Sequence, residues 1–279
     1  MANLIPLAGL GSRFDKEGYR LPKPLIPVSG KPMIIQVIKN MPKSEKWIFI
    51  VRKEHINRYA IDEIIKDKVP NAIIIPVENT TEGQACTCLL AEKYLDSEEE
   101  LFIAPCDSTI VLDEKKFERA KKRKDVDAIF LTLTKTEKLR TYPNSWGWYK
   151  IEKDGETIKE ISIKIPVSGD PFNDHAVTAF FYFKKAKDFI KSAKLMMEEN
   201  YRVNNEFYVD SLPMFLKKLN KRAIIFDVEL YISWNRPADL HEFEKIEFTV
   251  GNKLSEENLS DEEKELLTLW GKYFQNAKY

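Results

Sequence analysis

The chain has 279 residues, with Lys plus Arg and Asp plus Glu both at 44, so its formal net charge is zero. Hydrophobic residues make up 43% and charged residues 32%, which suits one large α/β domain or two small ones with a sizeable core. The basic excess of a nucleic-acid binder is missing, and no apolar run approaches the ~20 residues of a membrane span.

Residues 1–6 carry no basic segment ahead of a short apolar run and do not read as a signal peptide. Cys86, Cys88 and Cys106 form an odd set without paired spacing, which argues against a disulfide framework and fits a reducing cytoplasm. Cys86 and Cys88 make a CxC step, but His55, His175 and His241 are scattered and complete no zinc site.

Taken in chain order, the first half alternates apolar runs of strand length with helical patterns. Strands are predicted over 3–6, 47–51, 72–77 and 101–104, with helices over 32–40, 56–67 and 83–95. That alternation implies a parallel sheet covered by helices on both faces, which binds ligands at the carboxyl ends of its strands. The second half reads as strands over 127–134, 147–151, 158–164 and 176–183, helices over 186–199 and 206–219, and a strand over 223–227. A mixed sheet with an added β-rich lobe follows, and no linker or repeat separates the halves. In the tail, Ser260 caps a helix with an acidic first turn. Leu266, Leu267, Trp270, Tyr273 and Phe274 share one face of it, which packs on its own domain or serves as a dimer contact.

The most informative stretch is Leu7 to Pro32, LAGLGSRFDKEGYRLPKPLIPVSGKP. An apolar run ends in Leu7, Ala8, Gly9, Gly11 and Ser12, a turn whose glycines let backbone N–H groups approach phosphate oxygens. Arg13 and Lys23, the latter held between two prolines, add fixed positive charge. The plainer reading is a strand, a tight turn and a solvated basic loop.

The whole string resembles the opening segment of the GT-A-like nucleotidyltransferases, the nucleoside-diphosphate-sugar pyrophosphorylase type. Their pattern is a small-residue GxG-[ST]-R-[LF] loop, then PKPL-[IV]-P-V, then a GKP-like turn. Here these are Gly9-Leu10-Gly11-Ser12-Arg13-Phe14, Pro22-Lys23-Pro24-Leu25-Ile26-Pro27-Val28 and Gly30-Lys31-Pro32. Weaker matches extend to about residue 250. The resemblance implies a three-layer, Rossmann-like fold with a mixed central sheet, a small β-rich acceptor lobe and a C-terminal helix. It divides the chain into a transferase domain over 1–250, with a nucleotide half (1–125) and an acceptor half (126–250), and a tail over 251–279.

The implied reaction is attack by an acceptor phosphate oxygen on the α-phosphorus of a nucleoside triphosphate, with pyrophosphate leaving. Because the nucleophile is already an anion, such a site needs cations, alignment and a divalent metal rather than a strong base. By the same resemblance, Arg13 and Lys23 serve the triphosphate and Lys164 grips the acceptor phosphate; these are the expected catalytic residues. Asp107, at the end of an apolar run, is the expected Mg²⁺ ligand; its alternative is to cap a turn with Ser108. Gly83 would admit the nucleobase edge and Gln84 offers it a donor and an acceptor, while Thr81 alternatively caps the helix that follows. Gly147, between Trp146 and Trp148, matches the aromatic–Gly step facing the acceptor. Glu206, in Asn205-Glu206-Phe207-Tyr208, touches the acceptor or caps its helix. His175 reads as structural or pocket-lining rather than as a base. Lys164 departs from the family in following Ile163 rather than Glu.

A larger departure lies at Tyr231-Ile232-Ser233-Trp234-Asn235-Arg236-Pro237-Ala238-Asp239-Leu240. Many family members carry a second metal-binding aspartate where this chain has Ser233, and Asn235-Arg236 replace Gly-Thr. Asp227 and Glu229 share a face with residue 233 if the strand alternates strictly. Glu229 lies about 13 Å away along an extended chain, so it becomes a metal ligand only through a bulge. Otherwise the acceptor completes the metal shell or activity is compromised.

The leading expectation is therefore a Mg²⁺-dependent nucleotidyltransferase using CTP or UTP and a phosphorylated small acceptor, a sugar phosphate for polysaccharide assembly first, with phosphocholine-like and other phosphorylated small acceptors left open because the resembling proteins are not confined to sugars. The alternative is a catalytically weak regulatory or ligand-sensing protein on the same fold. A GT-A glycosyltransferase would want a DxD-like motif, and Pro105-Cys106-Asp107-Ser108 has one acid. A dinucleotide-binding dehydrogenase would need a third glycine where Phe14 stands.

Overall fold

The computed structural model describes residues 1–251 and 261–277, and the position expected for the tail helix cap, Ser260, lies outside them. Ala2–Leu7 runs parallel to Lys46–Arg52 on one side and to Leu101–Ile103 on the other, and Lys46–Arg52 is parallel to Ile73–Val77. On the far side of Leu101–Ile103 the sheet turns antiparallel through His175–Phe183. That strand also pairs with Ala128–Leu133 and Gly147–Ile151, and the sheet continues to Ile158–Ile163 and Ala223–Asp227. The result is one nine-stranded mixed sheet.

The strand sequences explain the layering. Central strands are apolar on both faces, as strands covered on both sides must be. Ile5, Leu7, Phe49, Val51 and Phe102 pack into one core. Leu4, Ile48, Ile50, Leu101 and Ile103, their neighbours in sequence, pack into the other. Each such side chain contributes about 1.5–3 kcal/mol on full burial, so both faces hold helices in place. No described helix is long and apolar enough to cross a membrane.

Several elements differ from expectation for identifiable reasons. The helix expected over 56–67 is two, Lys53–Tyr59 and Ile61–Lys68, broken at Ala60, whose φ is 50°. A left-handed alanine costs about 1–2 kcal/mol, and the turn leaves Ile61 and Ile65 fully buried. The helix expected from 206 begins only at Leu212, after a short 3₁₀ turn over Val209–Ser211. Residues 206–208 stay extended because Phe207 bonds to Glu82 and Ala85 through its backbone. Leu230–Ser233 does not continue the strand that ends at Asp227 but pairs with Ser108–Val111 in a separate two-stranded antiparallel ribbon, which the sequence reading did not foresee. Pro237–Gly251 forms a helix, and Asp261–Ala277 packs back on the domain through Trp270, Tyr273 and Phe274, all within 6 Å of the Phe243 ring centroid. Leu266 stays 47% exposed.

Candidate active site

The strands Ala2–Leu7 and Leu101–Ile103 are parallel neighbours, so both release their chains at one rim. There a cavity of about 990 Å³ opens. The first exit is the loop Ala8–Gly11, which leads into a short helix, Ser12–Lys16, carrying Arg13. Among the described residues, the amides of Gly9 to Ser12 donate to no backbone oxygen. Gly11 has φ 68°, and a Cβ there would lie 3.2 Å from the Lys23 Cβ. A side chain at residue 11 would thus be strained and would crowd the lysine.

Lys23 opens a 3₁₀ turn, Lys23–Leu25, flanked by Pro22 and Pro24, which fix the local backbone. Its ammonium donates to the Asp107 carboxylate, to Asn235 Oδ1 at 2.7 Å and to Asn235 O at 3.1 Å. All three ammonium protons are engaged. Arg13 donates to the same Asn235 Oδ1 at 2.9 Å. The ribbon sets this meeting: Ser233 pairs with Ser108, and the Trp234 amide donates to the Asp107 carbonyl at 2.8 Å. Asp107 therefore does not cap a turn with Ser108. Asn235 was legible only as a departure from the family pattern, because its partners lie 212 and 222 residues away.

Leu7, Ala8, Gly9, Gly11, Ser12, Gly83, Gln84, Gly147, Lys164 and Glu206 line the same cavity as Arg13, Lys23 and Asp107. Gly83 has φ 132°, and a Cβ there would meet the Phe207 N and O at 2.5 and 2.6 Å. Thr81 does not cap the helix Gln84–Leu89; its hydroxyl donates to the Gly83 carbonyl at 2.9 Å. Lys164 follows the edge strand with φ 65°, its amide donating to the Trp146 carbonyl. Among the described residues its ammonium has no partner. Glu206 does not cap a helix, since none starts there. His175 lies off the cavity, 3.0 Å from Asp227.

Glu229 is not part of this site. The main-sheet strand ends at Asp227, and the chain bends into the ribbon as the amides of Val228 and Glu229 donate to Thr132 and Val111. The strict alternation from 227 to 233 is lost at that bend. Glu229 is exposed and pairs with Lys272 of the last helix at 3.5 Å.

Sequence reasoning also missed Asp210. It lines the cavity, with its Oδ2 2.5 Å from where a Gly147 Cβ would sit. Burial raises its pKa from 3.8 to about 6. Its titratable neighbours are Tyr149 and Tyr208, both themselves raised, first by burial. Because the native state holds this proton more tightly than the unfolded chain, the penalty is absent below about pH 4 and grows up to about pH 6. Asp210→Asn is thus expected to raise the melting temperature at pH 8 by several degrees and to leave it unchanged near pH 4. Thermal melts at both pH values check this; an equal shift at both would contradict it.

Burial first, then the Asp107 charge, pushes the Cys106 thiol up to about 12, so it is no nucleophile at neutral pH. No group of three His, Cys, Asp or Glu side chains converges to hold a metal among the described residues. Magnesium, however, needs only one or two carboxylates when phosphates and water complete its shell. Asp107, with the Asn235 oxygens beside it, meets that minimum; Ser233 adds a hydroxyl rather than a second carboxylate.

Comparison with known proteins agrees in fold. A nucleoside-diphosphate-sugar pyrophosphorylase from Vibrio cholerae RC9 superposes with a TM-score of 0.68 at 18% identity, covering 88% of this chain and 100% of its own. The inositol-1-phosphate CTP transferase from T. maritima gives 0.64 at 16% identity, covering 88% and 96%. HddC from Yersinia pseudotuberculosis gives 0.61 at 20% identity, covering 88% and 99%. No curated protein matches the chain in sequence. The family model described as Nucleotidyl transferase matches residues 3–234, which takes in the glycine loop, the Lys23–Asp107 pair and the ribbon up to Trp234. The chain belongs to that family and is a nucleotidyltransferase.

Proposed function

We propose that the protein transfers a nucleoside monophosphate from CTP or UTP to a phosphorylated small acceptor of the sugar-phosphate type, releasing pyrophosphate. The observation that carries this reading is the meeting of Arg13 and Lys23 on Asn235, with Asp107 on the same lysine, at the carboxyl ends of two parallel strands. An oxygen of the acceptor phosphate forms a bond to the α-phosphorus as the bond to the pyrophosphate oxygen breaks. Arg13 and the free amides of Gly9 to Ser12 hold the triphosphate, and Lys23 stabilises charge on the departing pyrophosphate. Lys164, whose ammonium has no partner among the described residues, takes the acceptor phosphate and lowers repulsion between the two anions. Gly83 and Gln84 face the base; Gly147 and Glu206 face the acceptor. In this reading residues 1–125 serve the nucleotide and residues 126–250 the acceptor.

Mg²⁺ fits at Asp107, where when bound it would neutralise triphosphate charge. For phosphate to reach Lys23, the lysine must give up one of its three present partners. Ser233, which lacks the charge of an aspartate, favours a second reading in which the same cavity senses a ligand with little turnover. A coupled pyrophosphate assay over four nucleoside triphosphates and a panel of phosphorylated acceptors, with Mg²⁺, separates the two. Release with CTP or UTP is expected. Nucleotide binding by calorimetry without release from any pair would favour the second reading.

A further inference from the structure

The turn that carries Gly83 and Gln84 is shaped from outside the cavity. Gly83, at φ 132° and ψ 173°, holds a backbone conformation that is essentially glycine's alone, and such a conformation persists only where its surroundings impose it. Here the surroundings are a small hairpin over residues 202–207. Val203 and Glu206 exchange both backbone hydrogen bonds, each 3.0 Å, across Asn204 and Asn205. Those asparagines have φ 50° and 62°, the left-handed pair that a two-residue type I′ turn requires and that asparagine tolerates. Phe207 follows directly. Its amide donates to Glu82 O at 2.9 Å and its carbonyl accepts from the Ala85 amide at 3.1 Å, so it brackets Gly83 from both sides.

Arg202 fastens this joint. Its guanidinium lies over the Phe207 ring, 4.2 Å from the centroid. Nε donates to Asn200 Oδ1 at 2.6 Å, Nη2 to the Glu82 carboxylate at 3.2 Å and Nη1 to Asn205 O at 3.5 Å. One side chain thus touches the residue before Gly83, the tip of the hairpin and the ring behind it. Arg202 and Glu82 themselves lie off the cavity wall.

We propose, resting on the function proposed above, that Arg202 is a positioning residue for the nucleotide: through Glu82 and Phe207 it sets the pose of the Gly83–Gln84 turn, and with it the share of affinity that comes from the base rather than the phosphates. The phosphate end is assembled separately, by Asn235 and the ribbon, so loosening the hairpin leaves it intact. The Glu82 pair alone is weak, because that carboxylate stays 66% exposed. The arginine's strength is that its fork and its face act together, the fork on Glu82 and Asn205 and the face on the ring. A lysine cannot do both.

The test is calorimetric titration of the full chain, with Mg²⁺, by CTP, UTP and inorganic tripolyphosphate, which carries the phosphates without base or ribose. The parent is expected to bind its preferred nucleotide more tightly than tripolyphosphate. Arg202→Met, which keeps an apolar stem over the ring, should raise the nucleotide Kd about 5- to 20-fold and leave that of tripolyphosphate unchanged. Arg202→Lys should recover only part of the loss. Asn205→Val keeps Arg202 but places a β-branched residue at positive φ, and should weaken nucleotide in the same selective way; Asn205→Gly should not. A parent that binds nucleotide no better than tripolyphosphate overturns the proposal. So does an Arg202→Met chain that loses both ligands alike, or neither, and so does full rescue by lysine or an Asn205→Val chain that binds nucleotide as the parent does. Turnover is read apart from binding. Where pyrophosphate is released, Arg202→Met should raise the nucleotide KM with kcat unchanged, and a fall in kcat with KM unchanged contradicts a positioning role. The selective loss of nucleotide binding, with no pyrophosphate from any pair, supports Arg202 and overturns transfer instead.

Discussion

Lys23→Ala is expected to lower the rate of pyrophosphate release by about 10²- to 10⁴-fold, with the melting temperature changed by only a few degrees. The ammonium makes three contacts, two to Asn235 and one to Asp107, and loss of one fixed donor to developing charge costs about 10²–10³ in rate in comparable sites. Its removal also frees Asp107 and Asn235 to reorient, which adds to the loss. Stability is less affected, because the lysine and aspartate side chains keep 13% and 20% exposure and water can replace the lost partner. Lys23→Met is the sharper variant. It keeps the stem beside Gly11 and Phe14, which the ammonium overlies at 5.7 Å, and removes only the charge. Steady-state kinetics with circular dichroism melts reads both effects. Turnover within threefold of wild type in a folded Lys23→Met protein would remove this lysine from the mechanism.

Gly83→Ala is expected to cost at least about 3 kcal/mol of stability, the upper range for overpacking combined with a forbidden backbone conformation. The added methyl meets the backbone of Phe207 at 2.5 and 2.6 Å, and backbone cannot swing aside as a flexible side chain can. Two further constraints converge here. The Phe207 amide donates to Glu82 O and its carbonyl accepts from the Ala85 amide, so the segments on either side are locked together. Denaturant titration measures the loss, and the KM for nucleotide should rise because Gly83 and Gln84 share this turn. An alanine variant as stable as the parent would mean that the turn relaxes without these contacts.

Much of the fold was written in local patterns. Strands over 3–6, 47–51 and 101–104 fall within two residues of the observed ends because central strands are apolar runs bounded by polar or small residues. The glycine loop and Asp107 share a rim because each follows one of two parallel neighbours, an arrangement that strand–helix alternation makes the rule. Features that depend on distant partners were not legible. The break at Ala60 has no local breaker residue, and the extended course of 206–208 is imposed by Phe207 pairing with a turn more than 120 residues earlier. Asp210 drew no attention because its sequence neighbours suggested an ordinary helix start. Its isolation beside Gly147 exists only in three dimensions. Glu229 failed for the converse reason: a period-two argument holds within one strand, and the chain changes sheets at Val228.

The ribbon that joins Ser108–Val111 to Leu230–Ser233 has a consequence for how the protein is made. During synthesis, eight of the nine main-sheet strands are available before residue 223 is added, yet Asn235 is not. Until about residue 235 clears the ribosome, the guanidinium of Arg13 and the ammonium of Lys23 lack the amide oxygen that draws them together. A chain stopped before residue 235 would therefore hold most of its sheet without the contact that joins Arg13 to Lys23. Competence to bind should arrive as a late, separate event, set by one long-range closure rather than by growth of the sheet.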